Sequence, residues 1–183
     1  MINEISVIKK YEKITKYLIK KKLTISTMES CTAGMVASFL TDTEGSSATL
    51  KGAYITYSNE AKIKQGVPAD VIQKNGVYSP QTALAMATAC MDSYNADIGI
   101  GVTGTLGNTD PDNADSVPGE VHLGLIYPAS YHSKISTDTC NPKTSADICR
   151  TTSFTLPPAS SRHEYKLIVA DLIADEIIKN LIE

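Results

Sequence analysis

The sequence lacks any apolar run that approaches the roughly 18 residues needed for a membrane-spanning helix. Its first 22 residues are basic and amphipathic, with neither the uninterrupted apolar stretch nor the small-residue cleavage site of a signal peptide. We therefore expect a cytoplasmic protein with no membrane partner. With 183 residues, 42% of them hydrophobic and 20% charged, the chain suits one soluble domain over 1–183.

Cysteine pairs and histidine clusters are also missing. None of the four cysteines forms a C-x-x-C pair, and a chain of this length does not depend on disulfides, so we expect free thiols and no zinc site. The three histidines are scattered without the spacing of metal ligands. We expect neither a metal nor another cofactor. These residues are Cys31, Cys90, Cys140, Cys149, His122, His132 and His163.

The charge of the chain is divided unevenly. The first 22 residues carry seven lysines against Glu4 and Glu12, a balance of +5, so the remainder carries −8 of the net −3. A lysine-rich first helix could contact nucleic acid, although a solvated helix face explains the same pattern. Because the rest of the chain is acidic, we do not expect nucleic acid to be the main partner.

Hydrophobic periodicity predicts helices that alternate with strands, followed by a cluster of strands and one long helix. This order predicts an α/β protein, a three-layer α/β/α sandwich with a mixed sheet. The predicted strands are 23–28, 51–58, 96–104, 120–127 and 148–156. The predicted helices are 3–21, 31–40, one capped by Asn59, one starting at Pro68, one opened by Ser79-Pro80, and one from Ser160 or Ser161 through Leu181.

The segment MESCTAG, residues 28–34, is the first candidate site. A strand ends there and turns into a helix, and backbone N–H groups at such a turn can hold a phosphate or an oxyanion. Ser30 could present its hydroxyl as a nucleophile. It could instead only cap the helix, and this segment taken alone favours the capping role. Cys31 is a rival nucleophile, but no histidine is placed to support it.

The segment YSNEAK, residues 57–62, is the second candidate. If Asn59 caps the helix, Lys62 lies at position N3, where the positive end of the helix dipole lowers the pKa of an amine. A neutral amine can take the proton of a serine hydroxyl. Tyr57, at the strand end, could relay a proton. A packed tyrosine and a surface lysine explain the same spacing.

The segment VTG, residues 102–104, is the third candidate. It ends the most apolar predicted strand, and ligands of α/β sheets gather beyond the carboxyl ends of strands. Thr103 could donate a hydrogen bond to a ligand there. A turn threonine before a glycine is the equally good alternative.

Taken together, these segments resemble one family, the C-terminal domain of CinA, the competence-damage-inducible protein. The family pattern is roughly AESCTGG, GSS, G-x-x-x-YSNEAK, GVP, GAVS, VTGIAG and PVGTV. The matching segments follow in the same order: MESCTAG, DTEGSSATLKGAYITYSNEAKIKQGVP, NGVYSPQTALAMA, ADIGIGVTG and VPGEVHLGL. The resemblance covers about residues 1–127, and the last helix more loosely.

The resemblance implies an α/β/α sandwich around a mixed sheet and a metal-free amidohydrolase of pyridine nucleotide recycling. Family members convert nicotinamide mononucleotide to nicotinic acid mononucleotide and ammonia. The implied catalytic residues are Ser30, Tyr57 and Lys62. The implied substrate-binding residues are Cys31, Thr32, Gly34, Thr103, Gly104 and Arg162, the last matched to an arginine early in the final helix. We expect a small-molecule nucleotide substrate and a homo-oligomer, most simply a dimer.

The chain departs from the family pattern in two places. Ala33 replaces the second glycine of SCTGG, and its methyl group would narrow the approach of a phosphate. The family's glycine-rich IAGPGGGTPEKPVG loop is replaced by TLGNTDPDNADSVPG, which carries Asp110, Asp112 and Asp115. Acidic side chains near a phosphate would repel it. The segment 129–147 is also longer and more polar than the family pattern.

The expected mechanism is an acyl-enzyme formed on Ser30, with Lys62 and Tyr57 taking its proton and backbone amides of 30–34 stabilising the oxyanion. Thr103 and Arg162 would hold the phosphate or ribose. Two alternatives remain open. One is a related amidase that acts on another nucleotide or pyridine amide. The other is a non-catalytic module of DNA uptake or repair that binds through the basic first helix.

Overall fold

A five-stranded mixed sheet forms the centre of the computed structural model, which describes residues 2–113, 116–131 and 147–183. The strands are β1 (Ile25–Glu29), β2 (Leu50–Ile55), β3 (Ile98–Gly104), β4 (Glu120–Pro128) and β5 (Asp147–Thr155). Their order is β2-β1-β3-β4-β5. Strand β1 is parallel to β2 and β3, whereas β4 is antiparallel to β3 and β5. The predicted α/β fold with a mixed sheet is confirmed.

Six α-helices cover this sheet in the described residues. They are α1 (Glu4–Lys21), α2 (Met35–Thr41), α3 (Asn59–Lys64), α4 (Ala69–Asn75), α5 (Pro80–Tyr94) and α6 (Arg162–Ile177). Short 3₁₀ turns lie at Ser46–Ala48 and Ala129–Tyr131, and a π-helical turn, Ile178–Ile182, follows α6. The side chains of Ser79 and Ser161 cap α5 and α6, as the sequence predicts. No helix of the described residues is long and apolar enough to cross a membrane.

Two apolar layers separate the helices from the sheet. On one face, Tyr11 of α1 and Val169 of α6 pack in one cluster with Ile100 of β3. On the other face, α5 lies directly on β3, where a Cβ atom added to Gly101 would come within 2.0 Å of the Ala83 carbonyl oxygen. The alternation of apolar residues and glycines in IGIGVTG therefore fits a strand with a helix pressed against one side.

Local differences from the sequence-based expectations occur at helix starts. Helix α2 begins at Met35 rather than residue 31, because Ala33 and Gly34 have positive φ angles of 53° and 92° and form a turn. Ser58, not Asn59, caps α3. Pro68 precedes α4 instead of starting it. Each of these differences changes the helix position, counted from the cap, of the side chains that follow.

Three further expectations concern single residues and one segment. Ile5 falls at the helical spacing of the apolar residues of α1, which predicts that it faces the core, but it is 63% exposed. Cys149 is disulfide-bonded, so the expectation of four free thiols is wrong, although Cys31 and Cys90 are free. Neither the length of the chain nor the lack of a C-x-x-C motif excludes a disulfide. Of the polar segment 129–147, residues 132–146 lie outside the described residues.

Candidate active site

A cavity of about 570 Å³ opens beyond the carboxyl ends of the parallel strands. Ser30 follows β1, Tyr57 follows β2, and Gly104 ends β3, so the sheet topology brings the three predicted segments to one edge. Lys62 reaches the cavity from α3, and Arg162 reaches it from the start of α6. Residues 104–113 form the opposite wall, with Gly107 set back from the cavity.

Ser30 and Lys62 lie in direct contact at the base of this cavity. The Lys62 Nζ atom is 3.2 Å from Ser30 Oγ and donates a 2.9 Å hydrogen bond to the Thr56 carbonyl oxygen. The Lys62 residue is only 1% exposed, and Ser30 is also buried. A hydroxyl and an amine at this distance can exchange a proton without a bridging group.

Burial lowers the pKa of Lys62 from 10.5 to about 8, although the thiol of Cys31 and the carboxylates of Asp110 and Glu60 act in the opposite direction. The sequence predicts the same direction from the dipole at helix position N3, with partial burial by Tyr57 as a second cause. Since Ser58 is the cap, Lys62 is at N4. Loss of water around the ammonium group is therefore the main cause, and it favours the neutral amine needed for proton transfer.

Cys31 is next to Ser30 but is poorly suited to act as the nucleophile. Its side chain lines the cavity and is buried, with 4% of the residue exposed. Burial raises the pKa of its thiol to about 12. Because the thiolate is the reactive form, Cys31 is almost wholly unreactive at neutral pH.

Tyr57 and Arg162 meet at the mouth of the cavity. Arg162 Nη2 donates a 3.1 Å hydrogen bond to the Tyr57 hydroxyl oxygen. Tyr57 is 63% exposed, and within the described residues its hydroxyl has no hydrogen bond to Ser30 or Lys62. The geometry supports the placement of Arg162 in the pocket, and it puts Tyr57 at the rim rather than between serine and lysine.

Comparison with known proteins identifies the family of this chain. The model of the CinA C-terminal domain matches residues 8–153. The chain belongs to the CinA C-terminal domain family. A relative in Halothermothrix orenii, named a competence-damage inducible protein, is 44% identical over 117 residues, which are 63% of this chain and 27% of that protein. A CinA-like protein of Kosmotoga olearia is 43% identical over 115 residues, 62% of this chain and 28% of that protein.

Solved structures of CinA proteins have the same fold. The competence/damage inducible protein CihA of Agrobacterium tumefaciens is 25% identical, with a TM-score of 0.75 and coverage of 97% of this chain and 96% of that one. A CinA superfamily protein of Escherichia coli, at 19% identity, has a TM-score of 0.76 and coverage of 98% and 92%. This CinA domain matches less than a third of the length of the two sequence relatives above.

Glu29, which sequence reasoning missed, holds the CinA serine turn in place. Its fully buried carboxylate accepts hydrogen bonds from the backbone amides of Gly34, Val36 and Ala37, at 2.9, 3.1 and 2.8 Å. The Thr27 hydroxyl adds a bond of 3.2 Å. The carboxylate thereby occupies the N-terminus of α2. The sequence offers one indication of this role, namely that the glutamate of MESCTAG directly precedes a turn into a helix.

The Glu29 contacts limit which amides of the turn can stabilise an oxyanion. The Gly34 amide is taken by Glu29, the Ser30 amide donates to Val102, and the Ala33 amide donates to the Ser30 carbonyl. In the described structure the amides of Cys31 and Thr32 donate to no backbone carbonyl. These two amides are the remaining candidates for the expected oxyanion donors of 30–34, and both contact the Cys31 sulfur.

The predicted substrate-binding residues divide into two groups. Cys31, Gly104 and Arg162 line the cavity. Thr103, Thr32 and Gly34 are not among the residues that line it. The Thr103 hydroxyl donates a 3.0 Å bond to the Val77 carbonyl, which fastens β3 to the segment before α5. The Thr32 hydroxyl is buried and has no hydrogen-bond partner in the described part of the chain.

The acidic loop after β3 lines the cavity through Asp110 and Asp112. The Asp110 carboxylate accepts hydrogen bonds from the Tyr78 hydroxyl and the Asn113 amide group, and these bonds lower its pKa. Asn59 of α3 donates a 3.3 Å bond to the Asn113 side-chain oxygen, which ties the loop to the lysine helix. The third acidic residue of this loop, Asp115, lies outside the described residues.

Proposed function

We propose that this CinA domain is a cytoplasmic amidohydrolase that cleaves the carboxamide of a nicotinamide nucleotide through a serine nucleophile. The observation that carries the proposal is the contact between Ser30 and a buried Lys62, 3.2 Å apart. Lysine is an effective base only when its pKa is lowered, and burial lowers the pKa of Lys62 to about 8.

The proposed reaction has two stages. Neutral Lys62 takes the proton of Ser30 Oγ, and the oxygen attacks the carboxamide carbon to form a tetrahedral intermediate. The C–N bond then breaks, and the proton on Lys62 passes to the leaving nitrogen, so that ammonia departs and an ester remains on Ser30. Lys62 next deprotonates a water molecule, which hydrolyses the ester to a carboxylic acid and restores the serine.

In this reaction two backbone amides would stabilise the oxyanion of both intermediates. They are those of Cys31 and Thr32, directly after the nucleophile. By analogy with other acyl-transfer enzymes, each donor contributes about 3–4 kcal/mol to the transition state. Tyr57 and Arg162 would contact the rest of the substrate at the rim, and Tyr57 could also relay a proton once a substrate is bound.

The family resemblance makes nicotinamide mononucleotide the first substrate to test, with nicotinic acid mononucleotide as the product. A second candidate is another nucleotide or pyridine amide. It is favoured by Asp110 and Asp112 on the cavity wall, where the family pattern has a glycine-rich loop.

The alternative of a nucleic-acid-binding module finds less support in the first helix. Lys10 of α1 pairs with Asp171 and Asp175 at 2.7 Å each, and Lys16 pairs with Glu12. These carboxylates neutralise part of the positive charge of α1 that would attract the phosphates of a nucleic acid. Salt-sensitive DNA affinity without amide turnover would nevertheless favour the module.

Ammonia release from a panel of amides tests the reaction class. The panel contains nicotinamide mononucleotide, nicotinamide riboside, nicotinamide adenine dinucleotide and free nicotinamide, each with wild type and Ser30→Ala. We expect turnover of at least one nucleotide or nucleoside by wild type, unaffected by a chelator, and none by the variant. The proposal fails if no panel member releases ammonia, or if Ser30→Ala is as active as wild type.

A further inference from the structure

The cavity that holds Ser30 and Lys62 has more negative than positive charge on its wall. Among the described residues that line it, Glu60, Asp110 and Asp112 carry carboxylates, and Arg162 is the one exposed cation. Lys62 is buried at the base, where catalysis requires its neutral form. At neutral pH, below its pKa of about 8, Lys62 is still mostly protonated, so a doubly charged phosphate would meet three carboxylates against the Arg162 guanidinium group and the buried Lys62 ammonium group.

Two of these carboxylates are held in their charged form by hydrogen bonds. The Tyr78 hydroxyl and the Asn113 amide group lower the pKa of Asp110. Its own backbone amide and the Ser58 hydroxyl lower the pKa of Glu60. Both groups are therefore ionised at neutral pH. The Asp112 amide donates a 3.1 Å bond to Asp110 Oδ1, and both residues line the cavity.

The backbone amides at two helix starts near the nucleophile are already paired. Helix N-termini commonly bind phosphate through free N–H groups. Here Glu29 accepts from three amides at the start of α2. At the start of α3, the Ser58 hydroxyl accepts from Ala61, and the Glu60 carboxylate accepts from its own amide. Both helix starts are already occupied by side chains of the chain itself.

Tyrosine rings complete the wall. Tyr57 and Tyr78 both line the cavity, and the face of an aromatic ring attracts cations. Carboxylates and tyrosines together form an environment for a positively charged ring. A pyridinium ring joined to ribose has one positive charge, whereas the same ring with a 5′-phosphate has a net negative charge.

We infer that the site selects a cationic carboxamide without a phosphate group, such as an N-ribosylpyridinium carboxamide, over the corresponding mononucleotide. The inference rests on the proposed amide hydrolysis and changes its preferred substrate from the nucleotide to the nucleoside. Glu60 and Asp112 act as selecting residues, since they face the cavity and repel an anionic substituent. Arg162 donates a hydrogen bond to the Tyr57 hydroxyl, and this contact uses one of the N–H groups with which Arg162 could bind a phosphate.

The first test compares kcat/KM for ammonia release from nicotinamide riboside and from nicotinamide mononucleotide with wild-type protein. We expect a preference of about tenfold or more for the riboside at low salt, and a smaller preference at high salt, because screening weakens the repulsion of the phosphate. A preference for the mononucleotide at low salt overturns the inference.

The second test uses the double variant Glu60→Gln/Asp112→Asn, which leaves Asp110 and its hydrogen bonds intact. The matched control is Glu44→Gln/Asp42→Asn, which makes the same change of charge at two exposed residues away from the cavity. We expect the double variant to shift the preference toward the mononucleotide by about three- to tenfold. The control variant should leave it unchanged. Equal shifts in both variants, or none in either, contradict the role of Glu60 and Asp112.

Failure of this inference and failure of the proposed function give different results. If neither substrate releases ammonia but the S30A protein binds the riboside as wild type does, the reaction class is wrong. If both are hydrolysed and the mononucleotide is preferred, the amidase proposal stands and the inferred selectivity is wrong.

Discussion

Lys62 Nζ lies 3.2 Å from Ser30 Oγ, at the base of a cavity between the ends of two parallel strands and the start of the last helix. The lysine comes from α3, after the edge strand β2, and the serine follows the neighbouring strand β1. Their contact is a product of the sheet order and not of sequence proximity. It is the chemical basis of the predictions that follow.

Replacing the base should abolish turnover. Lys62→Arg keeps the positive charge, but a guanidinium group does not give up its proton in this pH range. Since general-base catalysis contributes roughly 10²–10⁴ to the rate, we expect kcat to fall by at least about 100-fold. Ammonia release at saturating substrate measures this. Near wild-type turnover in this variant would remove Lys62 from the role and leave Tyr57 as the candidate.

The serine and the neighbouring cysteine can be separated by substitution. Ser30→Ala should remove ammonia release. The fold should be retained, because alanine is slightly smaller than serine and fits the same buried position. Cys31→Ser should retain substantial activity, since burial keeps the pKa of the Cys31 thiol at about 12 and the thiolate is scarce. Circular dichroism controls for folding. Loss of activity in Cys31→Ser with the fold preserved would indicate a thiol mechanism.

Glu29 should affect the rate through the shape of the serine turn. Glu29→Gln places an NH₂ group against amides that now donate to a carboxylate. We expect kcat to fall about tenfold or more with little change in KM, together with a loss of about 1–3 kcal/mol of unfolding free energy. Kinetics and denaturant unfolding measure the two effects. A Thr27→Val variant removes one contact and should be affected much less. Unchanged kcat in a destabilised Glu29→Gln protein would make this glutamate purely structural.

Tyr57 should contribute less than Lys62. Its hydroxyl contacts Arg162 and is exposed, so Tyr57→Phe loses that hydrogen bond and keeps both the amine and the ring. We expect a loss of less than about tenfold in kcat/KM, in line with one exposed hydrogen bond. Steady-state kinetics for both substrates checks this. A loss as large as that of Lys62→Arg would instead mean that tyrosine carries the proton.

The buried amine should also reduce stability near neutral pH. Burial lowers the pKa of Lys62 from 10.5 in the unfolded chain to about 8, so unfolding takes up a proton between these values. The contribution of Lys62 to the free energy of unfolding is therefore least favourable below about pH 8 and becomes more favourable as the pH rises toward about 10.5. We expect Lys62→Met to be more stable than wild type at pH 7, by up to about 3 kcal/mol, with the difference shrinking as the pH increases. Denaturant unfolding at several pH values measures this, and an equally large difference at pH 10 would contradict it.

Much of the fold and the centre of the site follow from sequence patterns. Apolar periodicity predicts α1, α5 and α6 and all five strands, and serine caps mark the starts of α5 and α6. These signals are local, or they depend only on the rule that parallel strands share a carboxyl edge. The spacing alone favours a surface lysine, and the pairing of Ser30 with Lys62 is implied by the family resemblance.

The features that sequence patterns miss depend on tertiary contacts. A glutamate at the end of a strand usually faces solvent, and the burial of Glu29 depends on a turn in which Ala33 takes a left-handed conformation. The predicted helix position of Lys62 was N3, but a cap one residue earlier puts it at N4, and burial is the main cause of its low pKa. Thr103 has a suitable position in the sequence, but its hydroxyl bonds Val77 instead of lining the cavity.

The most direct measurement is the pH dependence of kcat/KM for ammonia release from nicotinamide riboside, from about pH 6 to about pH 10, with Ser30→Ala as the baseline. If neutral Lys62 is the base, kcat/KM rises about tenfold per pH unit at low pH and levels off above about pH 8, the pKa of the buried amine. Ser30→Ala should show no release at any pH. A wild-type profile that is flat across this range, or a Ser30→Ala variant with the same profile as wild type, would contradict the serine–lysine mechanism.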